Sequence, residues 1–244
     1  MEWHSEGVIL SMRPHGESAS IIEVLTGLHG RHAGVVRGGA SRRMAPHLQA
    51  GTQVSVTWRA RLGEHMGSFA VEPIRARSAM LGDALSLAGL NAICALLRVA
   101  LPEREALGQF YGQTLALLDA IEAGQNWPPD YLRWERDLLD HLGYGLDLTT
   151  CAVTGGRDDL AFVSPKSGRA VARGAAGDWA DRLFPLPPAL LGQGPADKGE
   201  VAQGLAITGH FLARGLEAVL AGRPLPEARA RLLARLARPS ADIG

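Results

Sequence analysis

Three guanidinium groups, Arg37, Arg42 and Arg43, fall within the stretch VRGGASRRMAPH (36–47), which contains no acid. A guanidinium is planar, always charged and forks onto phosphate oxygens, so this group of residues suits the neutralisation of a phosphate backbone regardless of base sequence. Gly38, Gly39 and Ser41 let backbone N–H groups approach a phosphate closely. An ordinary solvated loop accounts for the same pattern equally well. Arg59 and Arg61, and further on Arg75 and Arg77, extend the basic surface if the fold brings their strand ends together. Trp3, Trp58 and Phe69 are the only aromatics in this region, and Trp58 reads as core. Few bases can therefore stack, and binding here leans on charge and falls steeply with salt.

Other chemistries find little support. The chain has no GxGxxG after a strand, no GxxxxGK[ST], no HExxH and no GxSxG. Asp158–Asp159 sit in a loop, and Asp137 and Asp140 on the polar side of an amphipathic helix, where solvated charge explains them. His29, His32, His47 and His65 form no recognisable ligand set. Cys94 lies in the apolar run LNAICALL and reads as a packed thiol. Two cysteines, Cys94 and Cys151, make neither a zinc cage nor a disulfide framework between them. The expectation is a protein that turns over no substrate and carries no cofactor or metal.

Charge is uneven although it sums to zero over the 244 residues. Residues 1–80 hold nine Arg against six acids, a net of +3, and six of the eight His; residues 81–244 hold sixteen Lys+Arg against nineteen acids, a net of −3. A nucleic-acid footprint belongs in the first third. Arg outnumbers Lys 23 to 2, a skew that genomic base composition explains as well as bidentate recognition does. No basic n-region with an apolar run opens the chain, and no stretch reaches the ~20 apolar residues that cross a bilayer. The expected location is cytoplasmic, without a membrane partner.

These side chains need a scaffold. Residues 7–12, 19–26, 32–38, 52–60 and 67–74 have the length and β-branched content of strands, the clearest being the fourth, where Val54, Val56 and Trp58 alternate with Ser55, Thr57 and Arg59. Five short strands bury too little as an open sheet, so a small barrel is expected, OB-fold or SH3-like. Past Pro73 the period becomes helical. Leu81 to Val99 reads as one buried helix closed by Pro102. Glu103 and Glu105 suit the first turn of a second helix that carries Leu107 to Ile121. Tyr131 to Leu146 forms a third stripe, broken by the glycines at Gly143 and Gly145. Residues 147–195 are rich in Gly, Pro and Ala and read as turns with a β-hairpin and a short helix near 179–183. Helices follow at 202–221 and 225–236, and residues 239–244 read as loose. The fold class is thus mixed: a small N-terminal β-barrel over 1–78, then a mostly helical domain over 79–244 with an irregular Gly/Pro-rich part at 147–200.

Taken together, GVILSMRPHGESASIIEVLTGLHGRHAGVVRGGASRR, LQAGTQVSVTWRARLGEHMGSFAVE, YLRWERDLLDHLGYGLDLTTCAVTG and LAFVSPKSGRAV resemble the RecO family of bacterial recombination mediators, over about residues 5–190. The resemblance implies an N-terminal OB-fold, a helical C-terminal domain and a role in DNA repair and recombination at the nucleoid. It implies binding of single- and double-stranded DNA, annealing of complementary strands and, with a RecR-type partner, loading of a RecA-type recombinase onto DNA coated with single-strand-binding protein. It gives Arg37, Arg42 and Arg43 the part of DNA contacts; Arg59 and Arg61 join them as DNA-binding candidates on the condition already stated, that the strand ends meet. The helical body becomes the dock for the acidic C-terminal tail of single-strand-binding protein, where an apolar groove with Arg is needed. Arg133 and Arg136, flanking the apolar stripe of their helix, are the candidates, and solvated helix charge is the alternative. A protein–protein adaptor of weak DNA affinity is the rival reading for the whole chain. The sequence departs from the family at one point. Many members hold zinc through two CxxC pairs, whereas here Cys151 is followed by Thr154 and the second pair is missing around 170–175, so no zinc is expected.

Overall fold

The computed structural model describes residues 1–238; residues 239–244, which read as loose in sequence, lie outside the described residues. The chain divides into two compact units, Met1–Gln125 and Asn126–Gly244.

In the first unit five strands form the sheet: β1 (Glu2–His15), β2 (Ala19–Thr26), β3 (Gly30–Val36), β4 (Gln53–Arg59) and β5 (Ser68–Arg75). β1 is longer than its apolar core suggests because it serves two neighbours. Its first half pairs with β4, its second with β2, and a bulge between Ile9 and Ser11 turns it from one to the other. The order is β1-β2-β3-β5-β4, with β4 returning to β1, the Greek-key arrangement of an OB-fold. The ring is thin at one place: β3 meets β5 in parallel through a single pair, Val35 with Ser68. Ile9, Ile22, Val24, Val54, Val56 and Trp58 fill the interior, as the alternation in β4 requires.

Two helical expectations change here. Instead of one helix from Leu81 there are α1 (Ala79–Gly82) and α2 (Ala84–Ala100). They are separated at Asp83, whose carboxylate caps α2 by accepting the Ser86 N–H at 2.7 Å. Leu81, expected on the buried stripe, lies before the cap and is exposed. Glu103 and Glu105 do not open the next helix either: α3 runs over Gln109–Glu122. Residues 101–108 form an extended strap, because Arg104 and Gly108 take positive φ (68° and 53°) and the strap's N–H groups bond to the barrel.

The second unit opens with α4 (Pro128–His141), which buries Tyr131, Leu132, Trp134, Leu138 and Leu139. A small sheet of order β7-β6-β8 follows, from β6 (Leu160–Val163), β7 (Ala170–Ala172) and β8 (Phe184–Pro185). The expected hairpin is β6–β7, and the short helix near 179–183 is a 3₁₀ turn over Gly177–Arg182 after α5 (Arg173–Ala176). Then come α6 (Pro188–Leu191), α7 (Lys198–Gly215), α8 (Glu217–Leu220) and α9 (Glu227–Leu236). α7 starts before Ala202 because Asp197 caps it, accepting the Glu200 N–H at 2.8 Å. At the centre of this unit Glu135 of α4 is fully buried. Arg229 of α9 grips both its oxygens, at 2.7 and 2.8 Å, and Thr208 of α7 donates to it at 2.5 Å. The guanidinium lies 2.8 Å from where a Cβ on residue 209 would stand, which explains Gly209.

Candidate nucleic-acid interface

Arg37, Arg42 and Arg43 extend from the connection that leaves β3, and all three are exposed. Tight turns and the short 3₁₀ helix Ala45–Leu48 shape that connection, with Leu48 inserted into the barrel as its anchor. Arg59 ends β4, Arg61 follows it, and both are exposed. The β3–β5 seam brings these two ends of sequence together. A groove of about 400 Å³ is lined by Arg37, Arg59, Arg61, His65 and Ser68, together with Val35 and Gly67. Arg42 and Arg43 lie outside it, farther along the loop.

The electrostatics separate these cations from the rest of the barrel's. Among the described residues Arg37, Arg42, Arg43 and Arg61 form no ion pair, whereas Arg59 pairs with Glu2 at 2.8 Å, both side chains being exposed. That pair holds the Glu2 carboxyl below the usual range, through the hydrogen bond from Arg59. Arg75 and Arg77 do not extend the surface. Arg75 pairs with Asp119 and Glu122, and Arg77, its side chain 1% exposed, donates to the Gly51 carbonyl at 2.9 Å and to Asp119 at 2.6 Å. Both tie the barrel to α3. Acids of α3, far beyond the loop in sequence, take them up, a pairing that no local pattern reveals.

One residue that the sequence reading missed shapes the groove from behind. The Arg104 guanidinium donates to three successive carbonyls of the β4–β5 loop, those of Gly63, Glu64 and His65. The loop that carries Arg61 and His65 is thereby fixed from the strap. A positive-φ arginine leaves no periodic signal in a sequence.

In the second unit, Arg133 pairs with Asp130, while Arg136 pairs with Asp137 at 3.0 Å and donates to the Leu190 carbonyl at 3.1 Å. An apolar groove of about 350 Å³ lies elsewhere in this unit. Val153, Val171, Leu183 and the exposed Trp179 wall it, Arg182 stands 5.0 Å over the Trp179 ring, and Lys166 completes the lining cations.

The residues around Cys151 do not fit a zinc ion. Cys151 is the one thiol there, and among the described residues no three His, Cys, Asp or Glu side chains are grouped to hold a metal. An apolar cluster of Cys151, Val171 and Ala176, with Leu160, Phe162 and Leu183 against it, holds the segment together. The Ala172 N–H donates to Sγ at 3.2 Å, and with the Thr154 hydroxyl and the amides of Thr154 and Val153 it brings the thiol down to about 6. Cys94 differs: full burial pushes its thiol up to about 12, in keeping with a packed side chain.

Two family models cover most of the chain. The one described as Recombination protein O N terminal matches residues 1–77, and Recombination protein O C terminal matches residues 81–224. A protein of Cereibacter sphaeroides named DNA repair protein RecO is 68% identical over 238 residues, 98% of this chain and 99% of the relative. Proteins of the same name from Roseobacter denitrificans and Dinoroseobacter shibae are 59% and 56% identical over 239 residues, again 98% of this chain and 99% of each relative. With both halves matched in order and identity this high along nearly its full length, the chain belongs to the RecO family of DNA repair and recombination proteins.

Proposed function

We propose that the chain is a recombination mediator that turns over no substrate. It binds single- and double-stranded DNA through the barrel's seam cations and promotes annealing by neutralising two strands at once. With a RecR-type partner it assists loading of a RecA-type recombinase onto DNA coated with single-strand-binding protein, working at the nucleoid. The observation that carries this reading is the groove shared by Arg37, Arg59 and Arg61, with Arg42 and Arg43, which form no ion pair among the described residues, on the adjoining loop. The test is an anisotropy titration of a labelled single-stranded oligonucleotide at several salt concentrations, native chain against the triple substitution Arg37→Ala, Arg42→Ala, Arg43→Ala. Salt-sensitive binding that collapses in the triple variant supports the reading. Native binding that the substitutions leave intact removes these arginines as contacts.

For the tail of single-strand-binding protein, an apolar pocket with a cation for the carboxylate is required. The groove under Trp179, edged by Arg182 and Lys166, meets that requirement more fully than Arg133 and Arg136, whose partners are already in place. A labelled acidic apolar peptide should lose affinity on Arg182→Ala if this groove is the dock, and on Arg133→Ala with Arg136→Ala if α4 is. The adaptor reading draws on one observation, the neutralisation of Arg59 by Glu2. It takes the lead if the native chain binds no DNA at low salt yet still binds the peptide.

A further inference from the structure

Five-stranded barrels of this topology commonly lay an oligonucleotide across the outer face of β2 and β3, helped by the β1–β2 and β4–β5 loops. In this chain that face is occupied by the chain itself. Ile22 and Val24 point into the barrel, so Ile21 and Leu25 point outward, yet they are 5% and 0% exposed. Glu23, between them, is held by Arg31 at 2.9 Å, by Arg98 of α2 at 2.8 Å and by Ser11 at 3.1 Å.

The strap completes the cover. Arg31 donates to the Leu101 carbonyl at 3.1 Å, the Arg104 N–H donates to the Arg31 carbonyl at 2.9 Å, and the Leu107 N–H to the Gly27 carbonyl at 2.9 Å. Residue 30 must be glycine for this to happen: its φ is +60°, and a Cβ there would stand 1.9 Å from the Glu105 carbonyl oxygen. The cations of this face are spent inside the protein, while Arg37 and Arg61 at the seam form no ion pair among the described residues and Arg59 pairs only with the exposed Glu2.

We propose that the strap closes the β2–β3 face to nucleic acid and diverts single-stranded DNA to the β3–β5 seam, with Arg104 as the positioning residue that holds the β4–β5 loop against it. This rests on the reading that the barrel binds DNA. The phosphate backbone then follows a line from the loop of Arg42 and Arg43, past Arg37, to Arg61. Arg104 itself touches no phosphate, since Nη1 and Nη2 are directed to the three loop carbonyls and Nε is buried.

The test uses the full chain and a labelled oligothymidylate. Arg61→Ala is expected to lower the slope of log affinity against log salt by about 0.7 for a single strand. Arg98→Ala, on the helix that covers the β2–β3 face, leaves affinity and slope unchanged. Arg104→Gln weakens binding about fivefold, the ordering cost of a released loop, with the slope unchanged, and Arg104→Lys restores part of the loss. A second measurement does not depend on how these variants fold. A benzophenone amino acid at the exposed Leu62 of the β4–β5 loop is expected to crosslink to the oligonucleotide, and one at Arg98 is not. Crosslinking from position 98 and not from 62, or a slope that falls with Arg98→Ala and not with Arg61→Ala, overturns the diverted path while leaving DNA binding intact. If the native chain binds no oligonucleotide at low salt, the DNA reading and this inference fall together.

Discussion

Arg229 and Arg61 carry the same head group into opposite situations. In the second unit Arg229 is buried beside a buried carboxylate, and its N–H groups go to Glu135 and to the Leu205 carbonyl. In the first unit Arg61 stands exposed at the rim of a groove with no acid among the lining residues. The fold completes one arginine; the other finds no acid to pair with among the described residues. Arg75, Arg77 and Arg31 fall with Arg229, since acids of α3, the strap or β2 take them up. An arginine count therefore says little about where a polyanion binds, and a count of unpaired arginines says much more.

The largest expected effect tests the buried member. Arg229→Met leaves the buried Glu135 with the Thr208 hydroxyl but without its cation, and it should cost about 3–5 kcal/mol in urea unfolding of the full chain. Replacing both partners by apolar residues should recover much of that loss. Breaking the strap comes next. Gly30→Ala forces a side chain into left-handed backbone and against Glu105, and should cost about 1–3 kcal/mol or more. The exposed members should behave in the opposite way. The triple substitution at Arg37, Arg42 and Arg43 should leave stability within about 0.5 kcal/mol per site. It should lower the DNA salt slope by about 0.7 for each phosphate that is no longer neutralised. If that variant unfolds as readily as Arg229→Met, the distinction between the two kinds of arginine fails.

The last test concerns pH. Burial, and then the charge of Arg104, bring His32 from 6.5 down to about 4. Its neutral form is the one that the fold holds, so its contribution is fully present above pH 6.5 and is lost as pH falls towards 4. His32→Gln should flatten the stability of the first unit across that window, as followed by Trp fluorescence, with little change at about pH 8.

The sequence pattern makes some of this visible and hides the rest for physical reasons. The alternation of Val54, Val56 and Trp58 announces β4, and the apolar stripe of Tyr131, Trp134, Leu138 and Leu139 announces α4, because both are local periodicities tied to burial. The acid-free loop at 36–47 shows the unpaired arginines. The groove does not show, because it depends on the single parallel pairing of Val35 with Ser68, whose partners lie far apart in sequence. The strap reads as a helix start because Pro102 followed by Glu103 and Glu105 carries the right composition. Its true conformation comes from hydrogen bonds to Gly27 and Arg31, made by tertiary structure alone. Arg133 and Arg136 stand out by their place on the helix. Asp130 and Asp137, within three positions on the same helix, already occupy them.

The Glu135–Arg229 pair also bears on the order in which the protein is made. Glu135 leaves the ribosome 94 residues ahead of the arginine that neutralises it. Until Arg229 has been synthesised and released from the exit tunnel, the helix bundle of the second unit can close only around an uncompensated carboxylate. The barrel's partners come sooner: its strands, the strap over them and the α3 acids that take up Arg75 and Arg77 lie within the first 122 residues. The first unit can therefore mature while the second is still waiting for its final helix. A nascent chain stalled before α9 would present a finished barrel attached to an incomplete helical body.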